Sequence, residues 1–247
     1  MTEDVIERDY PFYRGDPVTL TGMQWLVVMV GIGLAVWVLL GHFAIFSQGY
    51  MGYGTSVLMT VLPLLGLILV APRHWTALFR KIGWKDIGWM FAFAALNAVI
   101  AIPLGFLLVS LVEAQVNPGV DGLTTATNFD RTLFFLASLP QLMGEELVSI
   151  LPFLAILYFL TQKLGFSRTA AVITAWIVTA VWFAAIHLPT YNYNIIQCLI
   201  AIGGARLVLT LAYMKTKNLW VSFGAHVIND WMTFGLAVLA SVFGSSA

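Results

Sequence analysis

Charge is what this chain has least of: Asp, Glu, Lys and Arg make up 10% of its 247 residues, while 60% are hydrophobic. Together with a mean hydropathy of +0.89, that scarcity excludes an ordinary soluble domain. Cysteine is almost missing too. The single Cys198 excludes an intramolecular disulfide framework and a cysteine-based zinc cluster, and is read as a packing residue. No basic n-region of the kind a secretory signal needs is present: residues 1–21 are polar and mostly acidic (Glu3, Asp4, Glu7, Asp9, Asp16) and are expected to form a cytoplasmic tail. Internal repeats and low-complexity tracts are absent as well.

What the chain has instead is long apolar runs. A helix crossing the hydrocarbon needs ~20 apolar residues, and these runs suit helices better than the ~10-residue alternating strands of a barrel. The expected fold is all-α, a polytopic membrane bundle of about seven to eight transmembrane helices forming one domain over 22–247. Seven spans are read: Gly22–Phe46, a second ending at Pro72 after the Ser47–Thr55 turn, Gly88–Val112, Arg131–Thr161, a fifth ending at His187-Leu188-Pro189-Thr190, Ile195–Met214 and Leu219–Phe243. Glu113–Asp130 reads as a loop. Pro140 and Pro152 in the fourth segment predict a bent or broken helix. A cytoplasmic N-terminus puts ten of the twelve Lys and Arg residues on that side, all but Arg131 and Arg206, so the chain is expected in the cell membrane with its N-terminus inside. His42 and His74 are read as structural.

An ionisable side chain in such a run costs at least ~2.5–3.5 kcal/mol to insert, so it is functional by default. Glu145 and Glu146 lie midway along the fourth segment, and His187, Arg206, His226, Asn229 and Asp230 are the other polar residues in apolar surroundings. Glu145 and Ser149, spaced i and i+4, are expected to face one cavity, with Glu146 turned about 100° away. His226 and Asp230 share the same spacing. Two chemistries suit these groups. In one, Glu145, His187, His226 and Asp230 hold a zinc ion that makes hydroxide from water. In the other, no metal is needed: a carboxylate and a histidine take a proton from attacking water, and a second histidine stabilises the oxyanion. Periodicity does not choose between them.

In order, Glu145-Glu146, Phe183-Ala184-Ala185-Ile186-His187 and His226-Val227-Ile228-Asn229-Asp230 resemble the three motifs of the CAAX-protease and bacteriocin-processing (Abi) family: Glu-Glu-x-x-x-Arg, Phe-x-x-x-His and His-x-x-x-Asn/Asp. The resemblance covers about residues 130–235. It implies an intramembrane endopeptidase with a water-filled chamber, acting on a membrane-associated protein or peptide, with the bilayer as its other partner and no nucleic acid. It further implies that Glu145 with His187 activates water and that His226 with Asp230 forms the oxyanion site. Glu146, Arg206, Phe183 and Asn229 would support the site or the substrate. The glutamate-based, metal-independent form of the chemistry is the one adopted, with zinc as the alternative cofactor.

Two positions depart from the family pattern. Ile150 stands where the first motif has arginine, and Asp230 where asparagine is commoner. An ionised Asp230 repels an oxyanion unless it is protonated, holds His226 charged or binds a metal. Arg206 is expected to supply, from the sixth span, the cation that Ile150 does not. Depth counting at ~1.5 Å per residue separates His226 from His187 by too much for one site, which predicts that the fifth helix starts late, near Thr174, or is strongly tilted. Two other readings remain open: a transporter or proton-coupled carrier using the same groups as a relay, and a family member without catalysis, acting as a scaffold or immunity factor.

Overall fold

A computed structural model describes residues 9–41, 45 and 49–244; His42 and the tail residues Glu3, Asp4, Glu7 and Arg8 lie outside them. Among the described residues there are eight helices and no strand: α1 Gly22–Leu40, α2 Tyr53–Val70, α3 Trp84–Leu111, α4 Pro118–Thr125, α5 Asn128–Lys163, α6 Arg168–Ile186, α7 Ile195–Thr216 and α8 Leu219–Gly244. Six of these, all but α4 and α8, are long and apolar enough to cross a membrane. The remaining expected span, α8, has 26 residues, enough for a crossing at ~1.5 Å per residue. The protein is a polytopic helical membrane protein, as its hydropathy requires.

Polar residues at the ends of the apolar runs start the helices. Thr21 and Gln24 form a reciprocal capping box on α1, and Thr127, Ser167 and Asn194 accept backbone N–H bonds at the starts of α5, α6 and α7. The expected loop 113–130 is not all loop: Asn117 caps α4, with Pro118 in its first turn, a start signal that the polarity of the stretch obscures.

Helix α5 is the axis of the bundle. Its apolar window is 83% buried inside the protein, against 22–44% for the other spans, and it packs on α1, α2, α6, α7 and α8. The predicted break at its prolines does not occur, since Pro140 and Pro152 both lie within continuous helix. Pro152 has no N–H for the Val148 carbonyl four residues back, and Trp182 on α6 donates its indole N–H to that oxygen at 3.2 Å. A neighbouring helix thus satisfies the acceptor that proline leaves open. Helix α2 approaches α5 at Gly144, where a Cβ would stand 2.6 Å from the Met59 carbonyl carbon.

Residues 9–20 fold back against the bundle. Tyr10, Phe12, Tyr13 and Leu20 are buried, with Tyr10 stacked on Tyr213 of α7 and edge-on to Phe153 of α5. The α7–α8 turn lies beneath this segment, with Lys217 Nζ 4.9 Å over the Tyr10 ring. Asn218, Leu219, Val221 and Ser222 are all buried. The start of α8 is therefore covered rather than exposed.

Candidate active site

Helices α5, α6, α7 and α8, with residues of α1, α2 and α4, line a cavity of ≈ 730 Å³ bordered by Glu145, Phe183, His187, Arg206, His226, Asn229 and Asp230. Two of its corners come from α8, where the i, i+4 spacing turns His226 and Asp230 the same way: His226 Nε2 is 3.7 Å from Asp230 Oδ1. The histidines meet at one cavity without a late start to α6, which begins at Arg168. His187 lies ~28 Å along α6 from that start and His226 ~10 Å along α8. Both nevertheless border the same cavity.

The adjacent glutamates have unlike surroundings. Glu146 is fully buried, and Arg206 grips it with two N–H bonds, Nη1 to Oε1 at 2.7 Å and Nη2 to Oε2 at 3.1 Å. Arg206 is itself fully buried, bonded through Nε to Thr210 and seated 5.2 Å over the Phe183 ring. The cation missing at Ile150, a buried apolar residue here, reaches Glu146 from another helix. Glu145 has no such partner: Gln141 donates to its Oε1 at 3.1 Å, and its Oε2 lies 3.8 Å from His226 Nε2. Of the two carboxylates, it is Glu145 that borders the cavity.

Hydrogen-bond chemistry assigns the imidazole protons. His187 Nδ1 lies 2.8 Å from the Phe183 carbonyl, which only accepts, so Nδ1 carries hydrogen and Nε2 is left as the basic nitrogen. The ring packs on Phe183 at 4.5 Å. His226 Nδ1 lies 2.9 Å from Glu146 Oε1 and is likewise the donor. Its Nε2 faces Glu145 and Asp230 at 3.8 and 3.7 Å, beyond hydrogen-bond length from both. A proton there would have two carboxylates nearby and room to be shared with an incoming oxygen.

Residues 126–232 match the family model of the Rce1-like type II CAAX prenyl endopeptidases. That match bears out the resemblance carried by the three motifs, and the Rce1-like segment takes in α5 to α8 as far as Met232, with Glu145, Phe183, His187, Arg206, His226, Asn229 and Asp230 inside it. No curated protein and no solved structure matches the chain. The zinc alternative finds no ready donor set: among the described residues no three His, Cys, Asp or Glu side chains are grouped to hold a metal ion.

One expectation is overturned locally. Ser149 does not face the cavity; it is fully buried, and its hydroxyl donates to the Glu145 backbone carbonyl at 2.9 Å, the back-bonding that serine adopts within helices. Conversely, Gln141 and Ser56, linked at 3.3 Å, border the cavity although no sequence motif marks them. The one available signal is that Gln141 stands four residues before Glu145, on the same helical face.

Proposed function

We propose that the protein is an intramembrane endopeptidase that hydrolyses a peptide bond of a membrane-associated protein or peptide with glutamate- and histidine-activated water. The observation that carries this reading is the unequal pairing of Glu145 and Glu146. A carboxylate locked by a bidentate arginine cannot serve as a base, whereas Glu145 borders the cavity with no arginine on it, holding only the Gln141 amide at 3.1 Å and His226 Nε2 at 3.8 Å.

In the proposed reaction, water held between Glu145 and the free Nε2 of His187 gives up a proton as its oxygen attacks the substrate carbonyl. The tetrahedral oxyanion is met by His226, whose Nε2–H points into the cavity while Glu146 anchors Nδ1. Asp230 acts by holding His226 charged, which reconciles an acidic residue with an oxyanion site. The leaving amine takes its proton back from Glu145 or His187. Arg206 neutralises Glu146, so that His226 faces a fixed donor–acceptor frame rather than a loose second charge. This cation supports a reading in which Ile150 is compatible with catalysis. Apolar lining residues, among them Phe134, Leu142, Ile186 and Leu209, suit a lipid-associated substrate.

The Lys and Arg distribution supports a cytoplasmic N-terminus in the cell membrane. Asp9 and Arg168, which meet at 2.5 Å, and Lys217 over Tyr10 gather basic residues of two loops around the N-terminal segment.

The test is cleavage of an internally quenched farnesylated CAAX peptide by purified protein in lipid. E145A and H226A should each lose at least ~100-fold in kcat. Equal product from wild type and both variants would defeat the endopeptidase reading, and a chelator arm would separate metal-dependent from metal-free hydrolysis.

A further inference from the structure

Asn97 is the odd residue of α3. That helix exposes most of its surface, with Ala94, Asn97 and Leu108 as its buried residues, and it lies wholly outside the Rce1-like segment of residues 126–232. Asn97 is 1% exposed and borders a small cavity otherwise lined by Ile100, Ala101, Leu104, Gly105, Ala201 and Ala205. A carboxamide in such apolar surroundings needs a polar partner.

Its partner is Asn229. Asn97 Nδ2 donates to Asn229 Oδ1 at 2.8 Å, and Asn229 Nδ2 donates in turn to Asp230 Oδ1 at 3.0 Å. That same Asp230 oxygen lies 3.7 Å from His226 Nε2. The direction of the chain follows from its acidic end. In the proposed reaction Asp230 is the carboxylate that holds His226 charged and so only accepts, which agrees with Asn229 turning its NH₂ toward Asp230 and its oxygen toward α3, where Asn97 presents its own NH₂. The leftover atom is Asn97 Oδ1, which is buried and has no hydrogen-bond partner among the described residues. Turning Asn97 over would leave two oxygens facing each other, so the unsatisfied acceptor is the residue of a polarity imposed from Asp230.

We infer that Asn97 is a positioning residue for the reaction, acting through Asn229 to hold the Asp230 carboxylate in place beside His226. This rests on the endopeptidase reading. Without a donor at position 97, Asn229 loses the bond that fixes its carboxamide plane, and Asp230 loses the orientation in which its charge faces the imidazole. Substrate binding in the cavity is untouched, because Asn97 does not border it.

Kinetics on the quenched farnesylated CAAX peptide, with the full chain in lipid, decide the matter. N97L, close in volume and unable to donate, should lower kcat about tenfold with KM unchanged, and should add nothing further when combined with N229L, as expected for two residues acting along one path. N97D serves as the conservative rescue. Its buried carboxyl, protonated at pH 6, can donate to Asn229, so kcat should stay within about threefold of wild type there and fall as the carboxyl ionises toward pH 9. The other ionisable groups around Asp230, His226 on its own helix, Glu145 from α5 and His187 at the end of α6, are common to both proteins, so the ratio of variant to wild type isolates position 97. Should N97L unfold, the N97D ratio decides alone: no change between pH 6 and 9 overturns the inference. So do a wild-type kcat in N97L or additive losses in N97L/N229L. A wild-type protein that cleaves nothing defeats the endopeptidase reading itself, and this inference with it.

Discussion

Arg206 and Glu146 meet as a bidentate pair, with Nη1–Oε1 at 2.7 Å and Nη2–Oε2 at 3.1 Å, both side chains fully buried. The cation comes from α7 across to α5, although the family pattern has it on the same helix, four residues after the second glutamate. A cation can reach Glu146 from either helix.

Breaking the pair from one side strands a buried charge. R206M should destabilise the protein by about 3–5 kcal/mol, and the double variant E146L/R206M should recover most of that loss. Thermal unfolding in detergent checks both. A double variant no more stable than R206M would mean that the arginine is held for its packing on Phe183 rather than for Glu146.

At Gly144 the backbones of α5 and α2 come close together. A Cβ there would meet the Met59 carbonyl carbon at 2.6 Å and its oxygen at 2.7 Å, both backbone atoms that cannot rotate aside. G144A should therefore cost about 1–3 kcal/mol by forcing the helices apart, and should lower kcat as well, since Glu145 is the next residue. A melting temperature equal to wild type would contradict this packing.

The indole of Trp182 replaces the N–H that Pro152 lacks. W182F should cost about 1–2 kcal/mol, because the Val148 carbonyl is left buried and unsatisfied. In a P152A background, where residue 152 regains its own N–H, the same substitution should cost measurably less. Denaturant titration of the four proteins reads the difference.

The N-terminal segment should loosen at both ends of the pH scale. Partial burial pushes the Asp9 carboxyl up, but hydrogen bonds from Arg168, the Tyr13 hydroxyl and the Tyr10 N–H outweigh it and hold the group below its ordinary value. The stability it contributes is present above the ordinary carboxylate range, about pH 4, and is lost as pH falls through the lowered value. Burial, outweighing nearby Arg168, pushes the Tyr10 phenol up to about 12, so its contribution is complete below pH ~10 and is lost as pH rises toward 12. Limited proteolysis at Arg14 should accelerate in both windows, and D9N should show no acid window.

The sequence by itself determined the spans and the three motif-bearing helices. Apolar run length, capping residues and Lys/Arg bias are local quantities, legible one segment at a time, and the helix limits agree with them to within a few residues at most ends. It also isolated Glu145, His187, His226 and Asp230, because ionisable groups in lipid are too costly to be incidental. Tertiary structure alone decided how these groups are paired. Which glutamate Arg206 neutralises, that Ser149 turns back on its own helix, that Trp182 keeps α5 whole past Pro152, and that Asn97 of α3 reaches Asn229 all depend on helix faces meeting across tens of residues. Depth is the plainest case. Counting 1.5 Å per residue measures distance from a helix end, and only the packed bundle shows that His187 and His226 border one cavity.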